Sequence, residues 1–170
     1  TTLIHGTTLV TNAIIERKGA PTALLTTAGF EDVLEIGREM RYDIYDIFIK
    51  MPEPLVGRAF RKGIAERIDH QGNIITPLQE KKVIEIVQSW VKKGIESVAV
   101  SLLHAYANPI HEQKIGSILT KHFPHLSFSL SSEVMPEIRE YERTSATVMN
   151  AYVQPLTGKY LHQLTATLKE

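Results

Sequence analysis

A strand, a helix and a second strand follow one another in the second half of the chain, and this order limits the folds that the sequence can adopt. Residues 95–103 form a nearly continuous apolar run, which is typical of a strand covered on both faces. The helical periodicity of 110–119 comes next, and alternating apolar residues at 126–130 predict another strand. Two such strands lie parallel, with a right-handed crossover between them. The chain is therefore predicted to have an α/β fold.

The first half of the chain adds another strand and an antiparallel excursion. The run at 22–27 is typical of a strand, and the apolar periodicity of 30–36 predicts a short helix. Strand-like segments on either side of a turn predict a β-hairpin over 63–75, at an edge of the sheet or outside it. A capping-box pattern that begins at Thr76 predicts the start of the next helix.

The last predicted helix begins near Pro136, is interrupted at Pro155, and has two faces of different polarity. The apolar face is predicted to pack on the sheet. The polar face is either solvated or lines a cleft in which Arg143 and Asn150 hold an anionic or amide-bearing ligand. Glu142 lies near the apolar flank, where it pairs with a buried partner or acts on a substrate. The apolar face comprises Ile138, Tyr141, Ser145, Val148, Met149 and Tyr152, and the polar face comprises Arg139, Arg143, Thr147 and Asn150.

The first predicted helix starts almost at residue 1, directly after His5 and Gly6. Thr7 and Thr8 follow, where a threonine hydroxyl caps the helix, and Gly19 is predicted to end it. The free N–H groups of a first helical turn also attract anions. A phosphate or carboxylate site beside His5 is therefore the functional alternative to simple capping, and the residues leave both alternatives open.

Charge and cysteine content exclude several classes of function. The 170 residues carry 19 lysines and arginines and 19 aspartates and glutamates, so no basic field gathers nucleic acid or anionic lipid. No apolar run approaches the ~20 residues of a membrane span. Cysteine is absent, which removes thiol nucleophiles and thiolate metal sites and fits a reducing compartment. We expect one α/β domain over 1–170 in a cytoplasmic protein, with no nucleic-acid or membrane partner.

The common nucleotide and metal motifs are missing from the sequence. It contains neither a Walker loop nor a Rossmann fingerprint. Its seven histidines form no HExxH motif, and His104, His122 and His125 are expected to be structural or exposed rather than ligands. No GxSxG nucleophile elbow is present. The residues themselves therefore predict no metal site and identify no catalytic group.

Several ungapped segments nevertheless carry a specific resemblance to a known family. The chain closely resembles the hydantoinase A/5-oxoprolinase family, and the resemblance covers nearly all of its residues. On this basis the chain is expected to be an internal fragment of the family's N-terminal region. The segments are HGTT at 5–8 with Thr11, Asn12 and ERKG at 16–19, GFEDVLEIGR at 29–38, LLHAYANP at 102–109, SSEVMPEIREYERTS at 131–145 and NAYV at 150–153.

The resemblance implies a lobe of an actin-like, sugar-kinase-like ATPase with a ribonuclease-H-type fold. Family members couple ATP cleavage to the opening of a cyclic amide or imide, such as hydantoin, N-methylhydantoin or 5-oxoproline, by phosphorylating a substrate oxygen. ATP and Mg²⁺ are implied by the family alone, because its phosphate-binding loops are absent from this chain. The isolated fragment is expected to be inactive. The candidates for binding the substrate or an anion are His5, Gly6, Thr7, Thr8, Asn12, Arg38, Glu142, Arg143 and Asn150.

Two other functions stay open. Within the same family, the parent protein is alternatively a subunit of an ATP-dependent ketone carboxylase, which would require bicarbonate and a partner subunit. In a different class, the segment is a non-catalytic scaffold that makes subunit or lobe contacts through the aromatic stretch 42–48. The family also implies a hydantoinase B-type partner subunit and an oligomeric assembly.

Overall fold

A parallel four-stranded sheet forms the centre of the protein, in a computed structural model that describes residues 7–39, 43 and 45–168. Strands β1, β2, β5 and β6 pair in the order β2-β1-β5-β6, and all three pairings are parallel. The α/β prediction is confirmed. The six strands are β1 (Thr22–Thr27), β2 (Arg61–Ile64), β3 (Arg67–Ile68), β4 (Ile74–Thr76), β5 (Ser97–Ser101) and β6 (Ser127–Leu130).

Helices cover both faces of the sheet. On one face Leu25 of β1 and Val100 of β5 pack against α3 and α4, and on the other face Leu24 and Ala99 pack against α6. Neighbouring strand residues point to opposite faces, so both central strands are fully buried, with apolar residues at their centres and threonine or serine at their ends. The helices are α1 (Leu9–Ile15), α2 (Val33–Ile36), α3 (Glu80–Val91), α4 (Ile110–His122), α5 (Ser131–Val134) and α6 (Glu140–Thr167), with a 3₁₀ turn at Arg58–Phe60. No helix in the described part of the chain is long and apolar enough to cross a membrane.

The predicted β-hairpin over 63–75 is not confirmed in that form. Gly63 and Ile64 belong to β2, which pairs in parallel with β1 in the main sheet. The antiparallel pairing is restricted to β3 and β4, which form a separate two-stranded sheet. The helix predicted to start at Thr76 begins instead at Glu80, without a side-chain cap, because Thr76 still pairs in β4.

Gly19 does not end the first helix. The helix stops at Ile15, and Arg17 adopts the left-handed conformation, with a φ of 54°. Gly19 instead lies against the ring of Tyr152, where a Cβ atom would stand only 2.2 Å from two ring carbons. The glycine is therefore required for the close approach of this loop to α6.

The predicted faces of the last helix are partly wrong. Arg143 and Thr147, which were assigned to the polar face, are buried, whereas Met149 of the apolar face is 37% exposed. Val148 and Tyr152 are buried as predicted. The helix starts at Glu140 rather than near Pro136 and continues through Pro155 to Thr167 without a break. Arg143 faces inward because its guanidinium donates to the carbonyl oxygen of Leu102 just after β5. Thr147 is buried with its hydroxyl bonded to the Arg143 carbonyl oxygen within the helix.

Candidate functional site

The carboxyl ends of β1 and β5 meet where the winding of the sheet reverses. From β1 the chain continues to β2 on one side, and from β5 it continues to β6 on the other. In open parallel sheets, ligands bind in the crevice at such a reversal, just beyond the carboxyl ends of the strands. We call this end of β1 and β5, with the adjoining loops and the start of α6, the carboxyl-edge site.

Buried hydroxyl groups form the floor of the carboxyl-edge site. Thr26 Oγ1 donates a hydrogen bond to the carbonyl oxygen of Ser101 at 2.8 Å, and Ser101 Oγ lies 2.8 Å from Thr144 Oγ1. All three residues are buried, so these bonds join β1, β5 and α6 without competition from water. Together with Phe30 and Arg143 they line a small cavity.

Arg143 reaches the site from α6 and is only 1% exposed. Its two terminal nitrogens donate to the carbonyl oxygens of Leu102 at 2.9 Å and Glu137 at 2.8 Å, and its guanidinium lies 5.5 Å from the ring centre of Tyr106. Burial lowers the pKa of Arg143, while the charge of Glu112 opposes this shift. Only the buried Nε has no hydrogen-bond partner within the described chain. The guanidinium therefore fixes the loop after β5 against α6.

Glu112 is a fully buried carboxyl group in the first turn of α4. It accepts hydrogen bonds from the backbone N–H of Leu102 at 2.8 Å, from Ser131 Oγ at 2.7 Å and from the backbone N–H of Ser132 at 2.8 Å. Burial raises the pKa of Glu112, and these three donors oppose the increase. This one side chain ties the end of β5 to the start of α5.

A second buried carboxyl group joins β1 to the loop before α4. Thr27 Oγ1 is hydrogen-bonded to Glu66 Oε1, and it also accepts the backbone N–H of Leu103 at 2.9 Å. The other oxygen of Glu66 lies 2.6 Å from Nδ1 of His111. Both ring and carboxyl group are buried, so the pair serves to hold three segments together at the edge of the sheet.

The rim of the carboxyl-edge site is formed by polar and aromatic side chains. His104 follows β5 in a left-handed conformation with a φ of 56°, and its Nδ1 lies 3.1 Å from the hydroxyl oxygen of Tyr106. Burial, followed by the positive charge of Arg67, lowers the pKa of His104. Arg67 in turn lies over the ring of Phe30 at 5.5 Å. The rim therefore presents a neutral imidazole beside cationic and aromatic groups.

The described candidates at the first helix, Thr7, Thr8 and Asn12, do not line the cavity of this site. His5 and Gly6 lie outside the described residues. Thr7 Oγ1 accepts the backbone N–H of Leu9 at 3.1 Å, and Thr8 Oγ1 accepts a bond from the side-chain amide of Asn12 at 3.3 Å. These three polar side chains are exposed and partner only one another or their own helix.

Three more predicted candidates, Arg38, Glu142 and Asn150, make contacts away from this cavity. Arg38 Nε and Nη2 both lie 2.7 Å from Glu142 Oε1, and this ion pair links the loop after α2 to α6. Asn150 Nδ2 donates to Ser129 Oγ of β6 at 2.9 Å. Of all the predicted candidates that the structure describes, Arg143 alone lines the cavity at the carboxyl edge.

Four residues of the carboxyl edge were not among the site residues predicted from the sequence. Glu66, His111 and Glu112 attracted no functional prediction, and His104 was expected to be structural or exposed. The signal for three of them was positional, because His104, His111 and Glu112 closely follow the predicted strand at 95–103. Polar residues at the carboxyl end of a parallel strand are the ones that a topological site would use. No local pattern marks Glu66.

Comparison with known proteins finds relatives that match nearly the whole chain. It is 47% identical to the uncharacterized protein MJ0964 of Methanocaldococcus jannaschii over 98% of the chain and 25% of that protein. It matches the crystal structure of the ATP-dependent caprolactamase from Pseudomonas jessenii with a TM-score of 0.91 and 36% identity, over 98% of the chain and 24% of the caprolactamase chain. The nucleotide-free structure of acetone carboxylase matches with a TM-score of 0.82 and 26% identity, over 96% of the chain and 25% of that structure.

The matches cover nearly all of this chain but only part of each relative. The chain spans about a quarter of the length of these relatives, and the parallel sheet and its helices are shared with both solved structures. The family model for the hydantoinase/oxoprolinase N-terminal region matches residues 1–123. This is well over half of the chain and includes β1, β2 and β5 with the loop that carries His104. The resemblance inferred from the sequence is confirmed, and the chain belongs to the hydantoinase/oxoprolinase family.

Proposed function

We propose that this chain forms the substrate side of an ATP-dependent enzyme that opens a cyclic amide or imide. The observation that carries the proposal is the match of 98% of this chain to 24% of a caprolactamase chain, whose name states ATP dependence and a lactam substrate. The rim of the carboxyl-edge site, with its half-buried imidazole and aromatic rings, offers an amide ring a hydrogen-bonding group and apolar contacts. Hydantoin, N-methylhydantoin and 5-oxoproline are the candidate substrates, and the lobe is proposed to have an actin-like, ribonuclease-H-type fold.

ATP and Mg²⁺ are proposed to bind elsewhere in the full-length protein. Within the described residues, no group of three or more acidic or histidine side chains could hold a metal ion. Glu66 and Glu112, the carboxyl groups at the carboxyl edge, are already occupied by hydrogen bonds within the chain. The residues present therefore do not fit a magnesium–nucleotide site. The contribution proposed for this chain is to bind and orient the ring.

Two buried residues of the carboxyl edge orient the ring by fixing the loops around it. Arg143 holds the end of β5 and the segment before α6, and Glu112 holds the same strand against α5. Neither side chain is free to move, because each makes two or more bonds to backbone groups. Rigid loops of this kind place a bound ring in one orientation, which lowers the entropic part of the barrier to reaction.

The test of the proposed function is ADP release by the full-length protein with Mg-ATP. Hydantoin, N-methylhydantoin, 5-oxoproline and caprolactam are compared with acetone or acetophenone plus bicarbonate. We expect a cyclic amide to stimulate ADP release, with the ring-opened product formed in step with ADP. Stimulation by a ketone and bicarbonate alone would overturn the proposal and favour a ketone carboxylase subunit, an alternative supported by the match to acetone carboxylase.

Exposed aromatic side chains favour an additional role in assembly with a hydantoinase B-type partner or another subunit. Tyr45, Ile47 and Phe48 are 88%, 82% and 82% exposed. Asp43 and Asp46 accept the backbone N–H groups of Tyr45 and Phe48 at 2.9 and 2.8 Å, so the segment is locally ordered. Exposed apolar patches of this kind are typical of contact surfaces.

Serine substitution of Tyr45 and Phe48 in the full-length protein is expected to dissociate its assembly, because the two rings supply most of the apolar area of the segment. The measurement is molar mass by light scattering. Ile75→Ser provides the matched control, since Ile75 is 63% exposed on β4 and should leave the mass unchanged. An unchanged mass in the double variant would contradict the assembly role.

A further inference from the structure

We propose that His104 contacts the substrate in the carboxyl-edge site and binds its amide group as a neutral imidazole. The proposal rests on the proposed function and adds a residue to it. Three features of His104 support the assignment: its backbone conformation, the fixed orientation of its ring, and the charges around it.

The backbone of His104 is in the left-handed region, with a φ of 56°. This conformation turns the chain after β5, so that the carbonyl oxygen of His104 accepts the N–H groups of Ala107 at 2.9 Å and Asn108 at 3.2 Å. Glycine or asparagine would make the same turn with less steric conflict. Residues held in such conformations despite the conflict concentrate at binding and active sites. The turn accounts for the backbone conformation of His104, but it does not require an imidazole side chain there.

The ring of His104 is held from one side. Its Nδ1 lies 3.1 Å from Tyr106 Oη, and the two rings meet edge to face with their centres 5.8 Å apart. Tyr106 lies beneath the guanidinium of Arg143, which is itself bonded to Leu102 and Glu137. The other ring nitrogen, Nε2, makes no hydrogen bond within the described residues. A chain of contacts from the half-buried His104 and Tyr106 to the buried Arg143 therefore fixes the ring and leaves one nitrogen for a ligand.

Partial burial is the largest cause that lowers the pKa of His104, so the uncharged ring is favoured at neutral pH. Arg67 from β3, Arg143 from α6 and His70 from the following turn act in the same direction, and Glu140 at the start of α6 opposes them. With its proton on Nδ1, which lies against Tyr106 Oη, a neutral imidazole accepts one hydrogen bond at Nε2. A ring amide offers its N–H group to this nitrogen, and protonation of Nε2 removes the acceptor.

Two substitutions at His104 separate the ring from the turn. His104→Gly and His104→Asn both keep a residue that tolerates a positive φ, and both remove the imidazole. In the full-length protein, with the cyclic amide that most stimulates wild-type ADP release, we expect kcat/KM to fall at least about tenfold in each variant, as for loss of a hydrogen bond to a bound polar group. Added imidazole should restore part of the activity of His104→Gly.

The pH profile provides a readout that a structural role would not change. Wild-type kcat/KM should fall on the acid side as His104 becomes protonated, at a pH below the ordinary histidine range of about 6.5. This acid limb should be absent from His104→Asn. His125→Asn is the control, because His125 is exposed beyond the opposite end of the sheet, just before β6, and it should retain wild-type kcat/KM and the acid limb.

The outcomes distinguish this proposal from the proposed function. Failure of every cyclic amide to stimulate wild-type ADP release would overturn the proposed function and the role of His104 with it. Stimulation of the wild type together with kcat/KM values within twofold of wild type in both His104 variants would overturn the role of His104 alone. A decrease that imidazole does not relieve, with the acid limb retained, would also overturn it, because the loss would then come from the fold.

Discussion

Replacement of Glu112 by alanine is expected to lower the free energy of unfolding of the chain by about 4 kcal/mol. The substitution removes the acceptor for three buried donors, namely the N–H groups of Leu102 and Ser132 and the hydroxyl of Ser131. A buried donor left without a partner costs about 1–3 kcal/mol. Denaturant unfolding monitored by the fluorescence of Trp90, which is buried in the core, measures the change.

Two control variants define the origin of this loss. Glu133→Ala removes an exposed glutamate from α5 and should change the free energy of unfolding by less than about 0.5 kcal/mol. Glu112→Gln keeps the shape but turns one acceptor into a donor that faces N–H or O–H groups, so it should fall between the wild type and Glu112→Ala. Equal stability of Glu112→Ala and Glu133→Ala would contradict the account of the buried carboxyl group.

Arg143→Ala is the second substitution with a large expected effect, a loss of about 3 kcal/mol in the free energy of unfolding. The carbonyl oxygens of Leu102 and Glu137 lose their donors, and a cavity opens above the ring of Tyr106. The loss is smaller than for Glu112→Ala because two buried acceptors lose a partner here, against three buried donors there. The same denaturant unfolding experiment measures it.

Arg139→Ala is the matched control for Arg143. Arg139 precedes α6 by one residue and is exposed, so its removal should alter the free energy of unfolding by less than about 0.5 kcal/mol. Similar small effects of the two substitutions would show that Arg143 does not hold β5 against α6. In that case the rigid loops proposed for the carboxyl-edge site would lose their main support.

Periodicity alone predicted the central architecture. The apolar runs at 22–27 and 95–103 contain strands β1 and β5, and the helix and strand that follow the second run lie where the pattern put them. These elements were predictable because they bury mainly apolar side chains, so the spacing of apolar residues in the sequence indicates which side chains are buried. The hairpin prediction failed at β2, since a short strand with the sequence Arg61–Ile64 carries no mark of parallel pairing with a distant partner.

The last helix shows the limit of hydrophobic patterning. Arg143 and Thr147 were placed on a polar face, yet both are buried. Thr147 donates its hydroxyl to a carbonyl of its own helix, whereas Arg143 donates to the carbonyl oxygen of Leu102 just after β5. A partner such as Leu102 is distant in the sequence, so no local rule reveals that a charged residue is inside. Glu66 and Glu112 are buried for the same reason, which is why the network at the carboxyl edge appeared only with the fold.

The resemblance to a known family indicated a class of function, which the residue patterns alone did not. No motif in the chain identifies a nucleotide or a cyclic amide, and the relation to the hydantoinase/oxoprolinase family rests on matched segments rather than on a derived site. One of those segments is 102–109, the loop that carries His104 and Tyr106 at the carboxyl edge, although the resemblance did not single it out as a site.

Hydrogen–deuterium exchange of the full-length protein tests the location of the carboxyl-edge site most directly. Exchange is compared with and without the cyclic amide that stimulates ADP release, in the presence of Mg-ATP in both samples. The account predicts slower exchange in peptides that cover 26–31, 66–72 and 101–108, with no change at 122–127 beyond the opposite end of the sheet. Protection confined to 122–127, or none in the three carboxyl-edge peptides, would contradict the placement of the substrate.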